Sequence, residues 1–325
     1  MSFNITAHQL VETENSIHFC ACSPDAKQVA CALDNGSICI LNTITFDILA
    51  RGAPGKDFAG LPATCVRWAP DPSLVEYQLV SSSCTGGVML WNLDPADESL
   101  TRGTSANEEG NEVMTVDVSP SGKFVISAGS DRVVRLYDAA LQLLSKLVDG
   151  VNADGTRRPT HVNRVFSVRF LTDAVAVSAG WESPLQVWDL RSGFSNRQIV
   201  GVQGSSDCLE PVTGTQLVIV ASPKMASTLQ LIDSVTGRVL KDGSTKACAQ
   251  LQAEERVVVC RYCEEKGILW CLTVSPPSLI VLTLASGHVF ARAPLPAQPL
   301  NMSQHGNDVL VACKDGLLLQ VSLSM

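Results

Sequence analysis

Apolar and polar side chains alternate along this chain in many short segments. In "SAGWESPLQVWDLRSG" (178–193), the stretch Leu185–Trp188 alternates, and a turn of small and polar residues follows it. This alternation is typical of a β-strand with one face towards water. The pattern therefore predicts short strands joined by tight turns.

The same unit recurs along the chain. Related stretches are "QVACALDNGSICILNT" (28–43), "QLVSSSCTGGVMLWNL" (78–93) and "FVISAGSDRVVRLYDA" (124–139). Each joins two alternating strands through a turn and ends on a large anchor, with a further strand upstream and a shorter one downstream. The anchors are Leu41, Trp91, Tyr137, Trp188, Ile232 and Leu282, and a last copy, "DGLLLQVSL", closes the chain. Units of four antiparallel strands, repeated every roughly 40–50 residues, predict a β-propeller.

The anchors predict an all-β, seven-bladed propeller that forms a single domain over residues 1–325. The chain begins with a spare strand, "FNITAHQLVE" (3–12), and ends on the third strand of its last unit. We expect the N-terminal strand to complete the last blade, because this closure leaves no open sheet edge. The weak signature after about residue 200 leaves the later blade boundaries open.

The repeat resembles that of the WD40 family over essentially the whole chain. The unit of blade four carries the fullest match, with His161, Ser178 and Trp188 followed by Asp189, and with Glu182 where the family usually has Asp. The resemblance implies a buried hydrogen-bonded chain through Trp, Ser, His and the acid. The unit of blade three matches with Ser127, Asp131 and Tyr137, and Glu109 takes the place of the His.

Composition narrows the class of protein. Apolar residues make up 46% and charged residues 17% of 325 residues, which is typical of a globular chain. The net charge of −8 argues against general binding to nucleic acid. We expect no signal peptide and no membrane insertion, because the N-terminus lacks a basic segment and the apolar runs have strand length.

Twelve cysteines lie mostly within alternating strands, as in "IHFCACSP". We expect them to be buried free thiols in a cytoplasmic or nuclear protein. Cys260 and Cys263 have CxxC spacing, but a second pair of ligands does not follow, so the spacing does not predict a zinc site. The sequence also lacks phosphate-binding, dinucleotide-binding and nucleophile-elbow motifs. We therefore expect a protein that is not an enzyme and needs no cofactor.

The resemblance implies a protein–protein interaction scaffold, a subunit or adaptor of a larger complex. We expect a monomer within a hetero-complex, with partner proteins docked on the loops around the central channel. Two alternatives remain. "VWDLR" resembles the W-D-x-R ending of propellers that dock, as substrate receptors, onto the DNA-damage-binding adaptor of cullin–RING ubiquitin ligases, and the channel could instead hold a small molecule or an active site.

One group of loops concentrates basic and aromatic residues. These are Arg157, Arg158 and Arg164 in the long loop 149–164, and Arg132, Trp181 and Lys224 in short turns. Trp and Arg dominate binding hot spots, so the sequence predicts a basic-aromatic patch for an acidic peptide. The alternative is ordinary solvated loop charges, with Trp181 lying over the neighbouring blade.

Overall fold

The structure is a computed structural model that describes residues 2–324 except 11–15, 57–59, 71–76, 153, 224–227, 241–249 and 253. Regular structure in these ranges consists of β-strands, without an α-helix. The strands form seven four-stranded antiparallel sheets and one small two-stranded sheet. The predicted seven-bladed, all-β propeller is therefore confirmed.

The first strand, β1, covers Ser2–Gln9 and belongs to the last blade. Blade one consists of β2 (Ile17–Cys22), β3 (Gln28–Leu33), β4 (Ile38–Asn42) and β5 (Ile48–Gly52). Blade two consists of β6 (Ala63–Trp68), β7 (Tyr77–Ser83), β8 (Gly87–Asp94) and β9 (Ser99–Asn107). Blade three consists of β10 (Val113–Val118), β11 (Phe124–Gly129), β12 (Val134–Asp138) and β13 (Leu143–Leu147).

A hairpin of β14 (Gly150–Val151) and β15 (Arg157–Arg158) precedes blade four. Blade four consists of β16 (Val165–Thr172), β17 (Val175–Gly180), β18 (Ser183–Asp189) and β19 (Phe194–Ile199). Blade five consists of β20 (Leu209–Pro211), β21 (Leu217–Ala221), β22 (Leu229–Asp233) and β23 (Val239–Leu240). Blade six consists of β24 (Val257–Cys263), β25 (Ile268–Val274), β26 (Pro277–Thr283) and β27 (Val289–Pro294).

Blade seven joins the two ends of the chain. Its strands β28 (Pro299–His305), β29 (Asp308–Cys313) and β30 (Leu317–Ser324) are followed in the sheet by β1 as the outer strand. β1 pairs with β30 in continuous antiparallel register from Ser2 opposite Ser324 to Gln9 opposite Leu317. The structure thus has the expected closure by the N-terminal strand.

The core lies between neighbouring blades. The third-strand anchors are buried, with Trp91 at 1% and Trp188 at 0% exposure. Trp91 packs in one cluster with Trp68 and Tyr137, which joins blades two and three to blade one. Large aromatic side chains fill the gaps between twisted sheets and contribute much of the apolar burial.

The strand order fixes which loops share a face of the disk. In each blade the chain runs from the innermost strand outwards through antiparallel neighbours. The loops that lead into the innermost strands and the turns between second and third strands therefore open on one side, here called the upper face. The other turns open on the lower face.

Candidate functional site

Blade four holds a buried polar chain. Trp188 Nε1 donates to Ser178 Oγ at 2.8 Å, and His161 Nε2 contacts the same hydroxyl at 2.6 Å. His161 Nδ1 contacts Ser183 Oγ at 2.9 Å. Burial lowers the pKa of His161 to about 3, so the imidazole is neutral at physiological pH.

The acid expected in this chain is not part of it. Glu182 is exposed, in a turn where its backbone has a φ of 48°, and Ser183 is the partner of His161 instead. The prediction for Glu182 is wrong because the turn directs its side chain to solvent. A neutral imidazole needs one donor and one acceptor, and two serine hydroxyls supply both.

Blade three builds the equivalent chain around a carboxylate. Ser127 Oγ donates to Glu108, and Tyr137 OH donates to the same Oε1 at 2.8 Å. Arg135 pairs with Glu108 Oε2 at 2.9 Å and also with Asp131. Burial and the Glu108 carboxylate raise the pKa of Tyr137, which keeps the phenol protonated.

The residue at the His position in blade three is therefore Glu108, not Glu109. Glu108 is buried, whereas Glu109 is exposed one residue further along the loop. The sequence does not resolve this choice, because two adjacent glutamates differ only in the direction that the loop gives them.

A ring of alternating charges closes the central channel. Its members are Arg67, Asp117, Arg169, Glu210, Arg261 and Asp207, and each contacts two of opposite sign. Arg67 contacts Asp207 at 2.7 Å, and the wider contacts, from Arg67 to Asp117 and from Arg169 to Glu210, measure 3.7 and 3.8 Å. Burial would raise the pKa of Asp207, but Arg67 and Arg261 outweigh it and hold the pKa well below its usual range.

The ring follows from a repeated position in the sequence that the strand pattern alone does not single out. Arg67, Asp117, Arg169 and Arg261 each lie three residues after a β-bulge in the innermost strand, at Thr64, Met114, Phe166 and Val258. The signal was a charge at one fixed place in otherwise apolar strands. Each charged side chain of the ring contacts side chains of opposite charge. The ring therefore blocks the channel, and its members are not free catalytic groups.

The bulges shape the upper end of the channel. They occur in six innermost strands, at His18, Thr64, Met114, Phe166, Val258 and Leu300. A bulge turns a side chain away from its usual face. Five of these residues, all except Val258, line a cavity of about 200 Å³, here called the channel mouth, together with Asn301 and Asp207.

Two residues of the predicted basic-aromatic patch lie beside the channel mouth. The Trp181 side chain is 38% exposed, and its ring lies 5.0 Å from that of Phe166. Arg164 pairs with Glu112 at 2.6 Å, and its carbonyl accepts the backbone N–H of Trp181. The structure brings Trp181, Phe166 and Arg164 together on the upper face.

The remaining arginines of the patch lie further out. Arg132 and Arg157 line a second cavity of about 540 Å³ with His161. Arg157 pairs with Asp149, and Arg158 donates to the carbonyls of Val151 and Ser195. The hairpin β14–β15 thus rests against the outer strand β19, which places Arg157 and Arg158 at the outer part of blade four. Lys224 lies outside the described residues.

The cysteines of the described ranges are free. Burial raises the pKa of Cys65 to about 11 and that of Cys22 to about 12, which keeps both thiols protonated and unreactive. The described ranges contain no group of three or more His, Cys, Asp or Glu side chains that could hold a metal ion. Cys260 and Cys263 therefore do not belong to such a group. The described residues also lack a helix with the length and hydropathy to cross a membrane.

A sequence model of the family "WD domain, G-beta repeat" matches residues 101–138. This match begins in the outer strand of blade two and ends with the third strand of blade three, so it contains Glu108, Ser127 and Tyr137. The matched repeat thus covers the outer strand of one blade and three strands of the next, and the seven blades form a closed ring. The chain is a seven-bladed β-propeller that contains a WD40 repeat at residues 101–138. WD40 propellers are typically non-catalytic scaffolds for protein interactions. In this chain Trp181 and Phe166 form an aromatic pair on the upper face.

Proposed function

We propose that this WD40 propeller docks a segment of a partner protein on its upper face, as a subunit or adaptor of a larger complex. The observation that carries the proposal is Trp181, which is 38% exposed and packs in a tilted arrangement against Phe166 beside the channel mouth. Large aromatic side chains next to a recess are the usual anchors of protein interfaces. Because the charge ring closes the channel below, the partner would bind on the surface rather than pass through.

Charge plays a smaller part in this proposal than the sequence suggests. Arg164 and Arg157 have acidic partners in this chain, whereas Arg132 makes no ion pair among the described residues. An acidic partner segment would be steered by Arg132 and by the exposed Arg157, which line the same cavity. Exposed charges of this kind affect association rates more than affinity.

The proposal is tested with the full chain as bait at low salt, followed by binding kinetics with the purified partner. Trp181→Ala should speed dissociation and weaken binding by about 2 kcal/mol, or roughly 30-fold. Charge reversal at Arg132 and Arg157 should instead slow association and reduce its sensitivity to salt.

Ile44→Ala is the matched control, because Ile44 is 85% exposed in a turn of the lower face. It should leave binding unchanged. If Trp181→Ala keeps every partner at normal yield while Ile44→Ala loses one, docking occurs on the lower face and the proposal fails.

A second candidate is the role of substrate receptor on a cullin–RING ligase. Trp188 of the W-D-x-R sequence is fully buried, but Arg191 is exposed. Arg191 lines a cavity of about 540 Å³ on the lower face with Phe124 and Leu144. Direct binding of the purified DNA-damage-binding adaptor, lost in Arg191→Ala, would support this role; an absence of binding by the parent chain would exclude it.

We also propose that the protein works in the cytoplasm or nucleus. The support comes from the free cysteines of the described residues, because thiols stay reduced in these compartments. Fluorescence microscopy of the tagged full chain tests this placement.

A further inference from the structure

The channel mouth is a small recess with a mixed lining. Met114, Phe166 and Leu300 provide apolar walls, and Asn301 and Asp207 provide polar groups. Its volume of about 200 Å³ is below the about 300–1,000 Å³ of pockets for drug-sized ligands. The recess therefore has the size for one side chain rather than for a cofactor.

Asn301 is the unusual group in this recess. Its side chain is 1% exposed, and neither Nδ2 nor Oδ1 has a hydrogen-bond partner among the described residues. Buried polar groups without a partner are rare in folded proteins, because each one lowers the stability of the fold. The bulge at Leu300 directly precedes Asn301 and sets its position in the strand.

The Asp207 carboxylate and the His18 imidazole of the recess already have partners. The Asp207 carboxylate accepts from Arg67 through both oxygens and also from Arg261 and Ser167. Since a carboxylate offers about four acceptor positions, none remains for a cation from outside. His18 pairs with Asp34, and the Thr64 hydroxyl contacts Ser82 and the Val113 carbonyl.

The complement of this recess is thus uncharged, one side chain in size, and able both to donate and to accept hydrogen bonds at its tip. A charged side chain would lose its hydration without gaining a counter-charge. A purely apolar side chain would leave the Asn301 amide unpaired. A primary carboxamide satisfies both conditions, because it can form two hydrogen bonds with the Asn301 amide.

We propose that the channel mouth takes the carboxamide of a glutamine side chain from the docked partner segment, paired with the amide of Asn301. This proposal rests on the proposed function and adds a specificity to it. Trp181 and Phe166 would hold the segment at the rim, while the recess selects the residue that enters it.

The test uses the full chain with isotope-labelled side-chain amides and Met methyl groups, followed by NMR. The probe is N-acetyl-glutamine N-methylamide, and the comparators are the corresponding glutamate and methionine derivatives. All three carry the same backbone amides, so they differ only in the side chain. The glutamine probe should shift the Asn301 amide and the Met114 methyl signals saturably, at least tenfold more tightly than either comparator.

Asn301→Leu separates recognition from folding. It should abolish the Met114 response to the glutamine probe and raise the thermal midpoint of unfolding, since it removes an unpaired buried amide. Asn196→Leu, on the exposed outer strand β19, is the control and should keep the response. Asn301→Ala replaces the leucine variant if that chain does not fold, with loss of the response as the expected result.

Three results would overturn the proposal: equal shifts by all three compounds, no saturable shift by the glutamine probe, or an undiminished Met114 response in Asn301→Leu. A lowered thermal midpoint in Asn301→Leu would also count against it, because the amide would then have a partner in the free protein. These experiments use no partner protein. Their failure leaves docking at Trp181 in place, whereas normal partner binding by Trp181→Ala bears on the proposed function itself.

Discussion

At the residue scale, neighbouring blades meet the same need with different chemistry. In blades two to four, the third strand ends on a buried Trp or Tyr whose polar hydrogen must find an acceptor. In blade four Trp188 donates to Ser178, which a neutral His161 supports. In blade three Glu108 accepts directly from Tyr137, and Arg135 balances its charge. The first solution buries no charge, whereas the second buries an ion pair.

The neutral His161 predicts a dependence of stability on pH. Its pKa is about 3 in the folded chain, against about 6.5 when unfolded. Between these values the unfolded chain binds one more proton, so the stabilisation is complete above about pH 6.5 and is lost as the pH falls. The loss should approach about 1.4 kcal/mol per pH unit from this residue.

Denaturant unfolding of the parent chain and of His161→Gln between pH 7 and pH 4 measures this effect. The variant has no titrating group at this position, so the difference between the two free energies of unfolding should shrink as the pH falls. A difference that stays constant over this range would show that His161 keeps an ordinary pKa.

At the element scale, two devices convert seven similar sheets into one closed body. The bulges in the innermost strands turn His18, Met114 and Phe166 towards the channel mouth without breaking the blades. The pairing of β1 with β30 supplies the outer strand that the C-terminal end of the chain lacks. An unpaired strand edge would otherwise offer free N–H and C=O groups to other chains.

Deletion of residues 1–10 should therefore destabilise the ring. The deletion removes the outer strand of blade seven and the packing of Phe3 near Trp270. We expect a lower thermal midpoint and association that increases with concentration, measured by calorimetry and light scattering. A synthetic peptide of residues 1–12 should restore the midpoint. A truncated chain that stays monomeric and melts like the parent would contradict the closure.

At the scale of the whole molecule, the charge ring ties blades two to six together. Three arginines and three acids of this ring come from five innermost strands and the loop before β20. A buried ion pair adds little net stability compared with apolar packing, but removal of one partner leaves a buried charge uncompensated. The ring therefore depends on all of its members.

Asp207→Asn should lower the free energy of unfolding by about 3–5 kcal/mol at pH 7, because Arg67 and Arg261 lose their shared partner. The folded pKa of Asp207 is lowered, so this stabilisation is present above the unfolded pKa of about 3.9 and is lost only as the pH falls further. Denaturant unfolding should therefore give the same loss at pH 6 and pH 8. Asp154→Asn, at the exposed turn of the hairpin, is the control and should change little; a loss below about 1 kcal/mol for Asp207→Asn would show that the ring is dispensable.

The sequence by itself determined the parts of this protein that depend on local pattern. Alternation determined the strands, and turn residues determined where the chain reverses. The six anchors from Leu41 to Leu282, together with the last copy "DGLLLQVSL", determined the number of blades. Each of these signals lies within a few neighbouring residues. Tertiary structure decided the rest. The charge ring and the unpaired Asn301 arise where innermost strands far apart in sequence meet around one axis, and no local pattern states which charges will face each other there. Likewise, loop conformation determined that Glu108 rather than Glu109, and Ser183 rather than Glu182, joins the buried polar chains. Loop conformation also placed Arg157 beside Asp149 in the hairpin, away from the aromatic pair.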